Sequence, residues 1–314
     1  MLLRFQNNSE YGSANAYYFH RGESFAAYEF LSAHRVREKD GIIAYSFVTY
    51  EKSASSVELI GDFNDGSPVL MQRLGDHGLY GVICESPIAL EGCAYRFRIK
   101  LENGDTFTRH DPYARLSFVN GTPFSEISGE ASFDWQDKKY LTLRKKRFSE
   151  GEKAMKVHDF IFSEYEAENY REIAERISEH AVREAFTYVR LHGAQKALSE
   201  NAFDGCFAVD SRFGSPDDFR ALVSSLHSVG VGVIVDAFPL DFSESLRIDG
   251  ETASLMISSA LFYLRELHVD GLCLSDFAST CEAEEHRELM RRFKGVIASE
   301  MPDALIFTCD ERNE

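Results

Sequence analysis

Ser211–Asp236 reads SRFGSPDDFRALVSSLHSVGVGVIVD, a capped helix that runs directly into a buried strand. Ser215 stands at the N-cap and Pro216 at the first helical position, with Asp217 and Asp218 in the first turn. Gly230 closes the helix. The run that follows, GVIVDAF (Gly232–Phe238), is nearly all apolar, as a strand buried on both faces must be. The same alternation surrounds it. FIFSE (Phe160–Glu164) is a short apolar run, NYREIAERISEHAVREA (Asn169–Ala185) a helix, and TYVRLHG (Thr187–Gly193) a strand. MISSALFYLRELH (Met256–His268) and EAEEHRELMRRFKGVIASE (Glu282–Glu300) are helices, with strands DGLCLSD (Asp270–Asp276) and DALIFTC (Asp303–Cys309) after them. Five strand–helix alternations in a row predict a parallel sheet of βα units over 151–314.

Toward the amino terminus the period changes to two. IIAYSFVTY (Ile42–Tyr50), SVELIGDF (Ser56–Phe63), LYGVICE (Leu79–Glu85) and AYRFRIKLENGDTFTRH (Ala94–His110) alternate apolar and polar residues between turn signals. Glu102-Asn103-Gly104-Asp105 is a hairpin turn. This pattern predicts a β-sandwich over 39–118. YYFHRGESFAAYEFLSAHRV (Tyr17–Val36) reads as a helix or turn in an N-terminal segment, 1–38. Residues 119–150, around the single Trp135, read as an irregular linker.

Composition narrows the function. A formal net charge of -17 sets a field that repels phosphate backbones, which argues against a nucleic-acid partner. It suits a neutral ligand such as a sugar polymer. The absence of a long apolar stretch predicts no membrane span, and a polar start without a signal-peptide core predicts a cytoplasmic protein. Six cysteines without metal-ligand spacing read as small buried residues, so neither a metal nor another cofactor is expected.

Several stretches, in this order, resemble 1,4-α-glucan (glycogen) branching enzymes of the α-amylase superfamily. They are FHRGESFAAYEFLSAH (Phe19–His34), IGDFN (Ile60–Asn64), HDPYA (His110–Ala114), NYREIAERI (Asn169–Ile177), Ser211–Asp236 and SSALFYLRELHVDGL (Ser258–Leu272). The resemblance implies a sandwich of the glycogen-binding, isoamylase N-terminal type. A TIM-type (β/α) barrel of about five units, short of its sixth to eighth strands, would follow. Members cut an α-1,4 bond and rejoin the chain as an α-1,6 branch. That chemistry uses one carboxylate as nucleophile and a second carboxyl as acid/base at the carboxyl ends of barrel strands.

Those positions depart from the family's pattern. At the third strand DAFPLD keeps Asp236 but puts Asp241 where the substrate-gripping His belongs. At the fourth, DGLCLS has Cys273 for the Arg and Ser275 for the nucleophile. At the fifth, the acid/base position falls on Cys309. The expected reading is a degenerate homologue in glycogen metabolism, binding glucan or regulating without catalysis. Asp236 and Asp241 are candidate sugar ligands, although a purely structural Asp236 is the simpler account. In the sandwich, Tyr95, Arg96 and Phe97 are candidates because aromatic faces suit glucose rings, while sheet packing is the commoner use of such residues. Two alternatives stay open. Open barrel edges could pair with a second copy or with a full-length branching enzyme, or branching could arise with the missing half supplied in trans.

Overall fold

The computed structural model describes residues 3–8, 13–75, 77–120, 122–129, 133–149, 155–164, 169–195, 205–237, 249–274 and 284–308. The chain divides into two compact units. The sandwich unit is Met1–Glu130 with Leu198–Ala208 and Asp249–Leu255. The α/β unit is Ala131–Ala197 with Val209–Ile248 and Met256–Glu314.

The sandwich unit opens with β1 (Arg4–Gln6) and α1 (Ser13–His20). Ten strands follow among the described residues: β2 (Ser32–Lys39), β3 (Ile42–Tyr50), β4 (Ala54–Gly61), β5 (Val69–Leu70), β6 (Gln72–Arg73), β7 (Leu79–Ser86), β8 (Ala94–Leu101), β9 (Thr106–Arg109), β10 (Ser117–Asn120) and one more. The last is β11 (Thr122–Glu126). One antiparallel sheet runs β1-β7-β3-β2 with β6 beside β7, and the other β10-β11-β8-β4-β5 with β9 beside β8. Alternate residues point between the sheets, where Phe47, Val82, Leu59 and Phe97 share one core. Two expectations change here. Within Tyr17–Val36, read as helix or turn, Ser32 already begins a strand that pairs with β3. The turn between them is Asp40-Gly41, both at positive φ (52° and 75°), the geometry of a tight two-residue hairpin. Residues 119–150 also hold more order than a linker, including β11 and the helix described next. The Glu102–Asp105 turn joins β8 to β9 as expected, with Gly104 at φ 94°.

The α/β unit begins its ordered structure with α2 (Lys138–Ser149) and β12 (Val157–Ile161). α3 (Tyr170–Glu184), β13 (Tyr188–His192), α4 (Pro216–Ser228) and β14 (Gly232–Ala237) follow. Then come α5 (Gly250–Arg265), of which this unit holds the part from Met256 on, β15 (Gly271–Leu274), α6 (Glu284–Glu300) and β16 (Leu305–Thr308). The five strands form one parallel sheet in chain order, β12 to β16, as the βα pattern requires. Helix starts are fixed locally. Asn169 accepts from the backbone N–H of Arg171 and Glu172 (3.0 and 3.1 Å), and Ser215 from that of Asp218 (3.2 Å). β12 starts three residues before FIFSE. It lies at the edge of the described sheet, where His158 and Asp159 interrupt the apolar run and Phe160 is the buried residue. α5 starts six residues before Met256. No helix among the described residues is long and apolar enough to cross a membrane.

Candidate functional site

In the parallel sheet, side chains from the inner face meet near the carboxyl ends of β12, β13 and β14. The register sets Asp159 beside Arg190 and Asp236 beside Cys273. Arg190, itself buried, donates to Asp236 Oδ1 from Nε (2.6 Å) and Nη2 (2.5 Å). His192 sits between two carboxylates, with Nδ1 2.8 Å from Asp236 Oδ2 and Nε2 2.7 Å from Asp159 Oδ1. These contacts with Asp236 and then Asp159 raise the His192 pKa above its ordinary value, against partial burial and the nearby Arg190 charge. Both oxygens of Asp236 are therefore engaged by the protein's own side chains. Cys273 lies below, buried in an apolar cluster with Tyr188, Ile234, Leu305 and Phe307, where a small thiol fills space. Asp241, Ser275 and Cys309 lie outside the described residues. Among the described residues no three His, Cys, Asp or Glu side chains are placed to hold a metal ion.

The opposite ends of the strands carry a second polar cluster. Asp270, wholly buried ahead of β15, accepts from Arg144 Nη1 (2.8 Å) and the Val233 N–H (2.7 Å), and pairs with His227 Nε2 at 2.9 Å. Arg144, on α2, also donates to Asp303 (2.8 Å). Asp137 Oδ2 takes His227 Nδ1 at 3.1 Å and His268 Nδ1 at 2.7 Å. Trp135 stacks on His268 at 3.7 Å and Tyr140 on His227 at 4.0 Å. Burial pushes the Asp270 pKa up, but His227 and Arg144 together outweigh it and hold the carboxyl below its usual range. Burial likewise opposes the His227 charge, and Asp270 with Asp137 overcomes it, raising that pKa. With Arg144, Asp270, Asp303 and His227 all buried, this cluster ties α2 to the strand starts and braces the sheet.

In the sandwich unit two of the three sequence candidates turn inward. Tyr95 is buried, its hydroxyl 2.7 Å from Asp111 Oδ2 and 3.2 Å from Ser32 Oγ. Phe97 has no exposed surface. Both are core residues because β8 alternates and they share its inner face, so neither can offer a ring to a sugar. Arg96 is on the outer face, opposite Ile60 in β4, and its Nε has no hydrogen-bond partner among the described residues. The exposed aromatic pair is elsewhere, on α1: Tyr17 is 56% and Tyr18 49% exposed, with rings 5.4 Å apart and edge-on. Arg21 lies 5.3 Å over the Tyr17 ring. Adjacent YY in a polar helix was the only sequence signal. The end of α1 is fixed in turn by Asp249–Leu255. His20 Nδ1 meets Glu251 Oε1 at 2.8 Å, and Ser254 Oγ donates to the Phe19 carbonyl (2.8 Å). Gly250 lies so close that a Cβ there would stand 2.0 Å from the His20 carbonyl oxygen.

Residues 31–114 match carbohydrate-binding module 48, the isoamylase N-terminal domain. Among solved structures, the chain is similar to a protein from Salmonella typhimurium described as an alpha amylase (TM-score 0.65, 18% identity, 88% of this chain and 49% of that one). It is also similar to a pullulanase from Bacillus acidopullulyticus (TM-score 0.62, 16% identity, 88% and 41%). The class so defined is a carbohydrate-binding module 48 sandwich followed in the chain by an amylase-like α/β unit. Within that class the chain is a branching-enzyme-like amino-terminal region. It is 26% identical to the 1,4-alpha-glucan branching enzyme of Fusobacterium nucleatum over 95% of this chain, and 30% identical to that of Rhodococcus jostii over 85%. The alignments cover 56% and 42% of those two enzymes, so the chain spans about half their length or less.

Proposed function

We propose that this protein is a cytoplasmic, non-catalytic α-glucan-binding protein of glycogen metabolism, derived from branching enzymes. The observation that carries the reading is the carbohydrate-binding module match over residues 31–114. The exposed Tyr17 and Tyr18 rings add support, since glucose presents apolar faces that stack on aromatics. The absence of catalysis rests on Cys273, Ser275 and Cys309, which stand where the resemblance places an arginine, the nucleophile and the acid/base. It rests as well on Asp236, whose two oxygens are already bound by Arg190 and His192. Co-sedimentation of the purified protein with glycogen, competed by maltoheptaose, tests binding. Retention reversed by the oligosaccharide is expected, and no retention would refute it. Incubation with amylose tests the rest, and new α-1,6 branches would sink the non-catalytic reading.

A second reading has its own observation. On β12, at the edge of the described sheet, Val157 and Ile161 are exposed. Edge strands with apolar side chains invite pairing, which would suit a second copy or a full-length branching enzyme. A monomeric mass at high concentration, with no branching enzyme retained in a pull-down, would count against it.

A further inference from the structure

The contacts of His192 demand a proton. A neutral imidazole carries one N–H and one lone pair, so it can donate to only one neighbour. Here both ring nitrogens lie within 2.8 Å of a carboxylate oxygen, Asp236 on one side and Asp159 on the other. Two donors are needed, and the imidazolium supplies them. Among the described residues the charged groups around it are Asp159 on β12, Arg190 on its own strand and Asp236 on β14. With His192 protonated these four charges cancel. Without the proton the group carries a net charge of -1, and a lone pair faces a carboxylate.

The two halves of this bridge are unequal. Asp236 is also held by Arg190 through two donors, and its side chain is 13% exposed. Asp159 lies on the sheet's outermost described strand, and its side chain is 50% exposed. The imidazole itself is 24% exposed, so it exchanges its proton with water. That separates it from His227, which also lies between two carboxylates but has no exposed side-chain surface.

We propose that Asp159–His192–Asp236 is a proton-operated clamp that fastens the edge strand β12 across β13 to β14. Protonated, the imidazolium ties both carboxylates. When the proton leaves, the remaining N–H stays with Asp236, the better-held acceptor, and Asp159 is released. The charge that held β12 at its carboxyl end is then lost. The raised His192 pKa agrees with this. The sign follows from linkage. A group bound more tightly to its proton in the folded state stabilises that state below its unfolded pKa, and the effect is lost as pH rises through the folded pKa. The clamp therefore closes toward acid and opens toward alkali. It needs no sugar, so its failure and that of the glucan-binding reading are separate.

Two measurements on the full chain test it. In histidine-labelled protein the His192 resonance is identified by its loss in His192→Gln, and followed across pH by NMR. Its midpoint is expected above that of an unperturbed histidine, about 6.5, and lower in Asp159→Asn than in the wild type. Amide exchange in β12, corrected for its intrinsic pH dependence, is expected to accelerate above that midpoint in the wild type. In Asp159→Asn, at an exposed position that leaves the Arg190–Asp236 pair intact, the acceleration should be absent. A His192 midpoint at or below the ordinary value would overturn the clamp. So would β12 exchange with the same pH dependence in both proteins, and the wild-type titration decides alone should the variant fail to fold.

Discussion

Tyr95 lies in the sandwich core with its hydroxyl donated to Asp111. Tyr95→Phe removes that donor and leaves a buried carboxyl short of a partner, which costs ~1–3 kcal/mol. Urea unfolding should show the loss, while glycogen retention stays unchanged. Asp111 adds a pH signature. Burial, offset in part by hydrogen bonds from Tyr95 and the Tyr113 N–H, raises its pKa from 3.8 to about 6. A carboxyl raised on folding stabilises the folded state below its unfolded pKa, and that contribution fades as pH climbs through about 6. Asp111→Asn should therefore flatten the pH dependence of stability across that window, as denaturant midpoints at several pH values would reveal. At the exposed end of the scale, Tyr17→Ala with Tyr18→Ala should weaken glycogen co-sedimentation without moving the melting temperature, because those rings pack on little. The sequence candidates went astray here for a physical reason. Alternation says that Tyr95, Arg96 and Phe97 divide between two faces, but not which face is the core. That choice depends on the second sheet, which packs on Tyr95 and Phe97 and leaves Arg96 outside.

Elements in the two units are fixed by different means. α2 is held to the starts of β15 and β16 by charge, through Arg144 to Asp270 and Asp303. Asp270→Asn removes one of two carboxylates from each of two buried partners, leaving Arg144 with Asp303 and His227 with Asp137, and a cost of up to ~3–5 kcal/mol is expected from thermal or urea unfolding. The network's pH limits follow from its shifts. Asp270, with its pKa lowered, loses its contribution as pH falls through its folded pKa, and His227, with its pKa raised, as pH rises through its own. The end of α1 is held instead by close approach. Gly250→Ala would force a methyl onto the His20 carbonyl, and an overpacking cost of ~1–3 kcal/mol should appear as a lower melting temperature. These two cases also show what a sequence can carry. The caps at Asn169 and Ser215 and the turn at Glu102–Asp105 are local, so residue types alone identify them. The β2–β3 hairpin was equally local, in Asp40-Gly41, but the preceding helix-like stretch concealed it. The Arg144–Asp270 and His192–Asp236 pairs join residues 126 and 44 positions apart in the chain, and only the βα register brings them together.

At the scale of the whole molecule, two units with separate cores set the terms for any measurement. Phe97→Ala in the sandwich core should cost ~3–5 kcal/mol in that unit and reduce glycogen retention only by unfolding the binding module. The likeness to branching enzymes was legible because long stretches match in sequence. The sheet's carboxyl ends were legible only as departures from the family's pattern at Asp241, Cys273, Ser275 and Cys309. Nothing in DAFPLD or TYVRLHG states that Arg190 and His192 occupy both oxygens of Asp236. The single Trp135, stacked face to face on His268, gives each unit its own optical channel. All indole emission comes from the α/β unit, and a histidine ring stacked on the indole quenches it. Undocking Trp135 should brighten the fluorescence, even while the tyrosine-rich sandwich remains folded and silent in that channel.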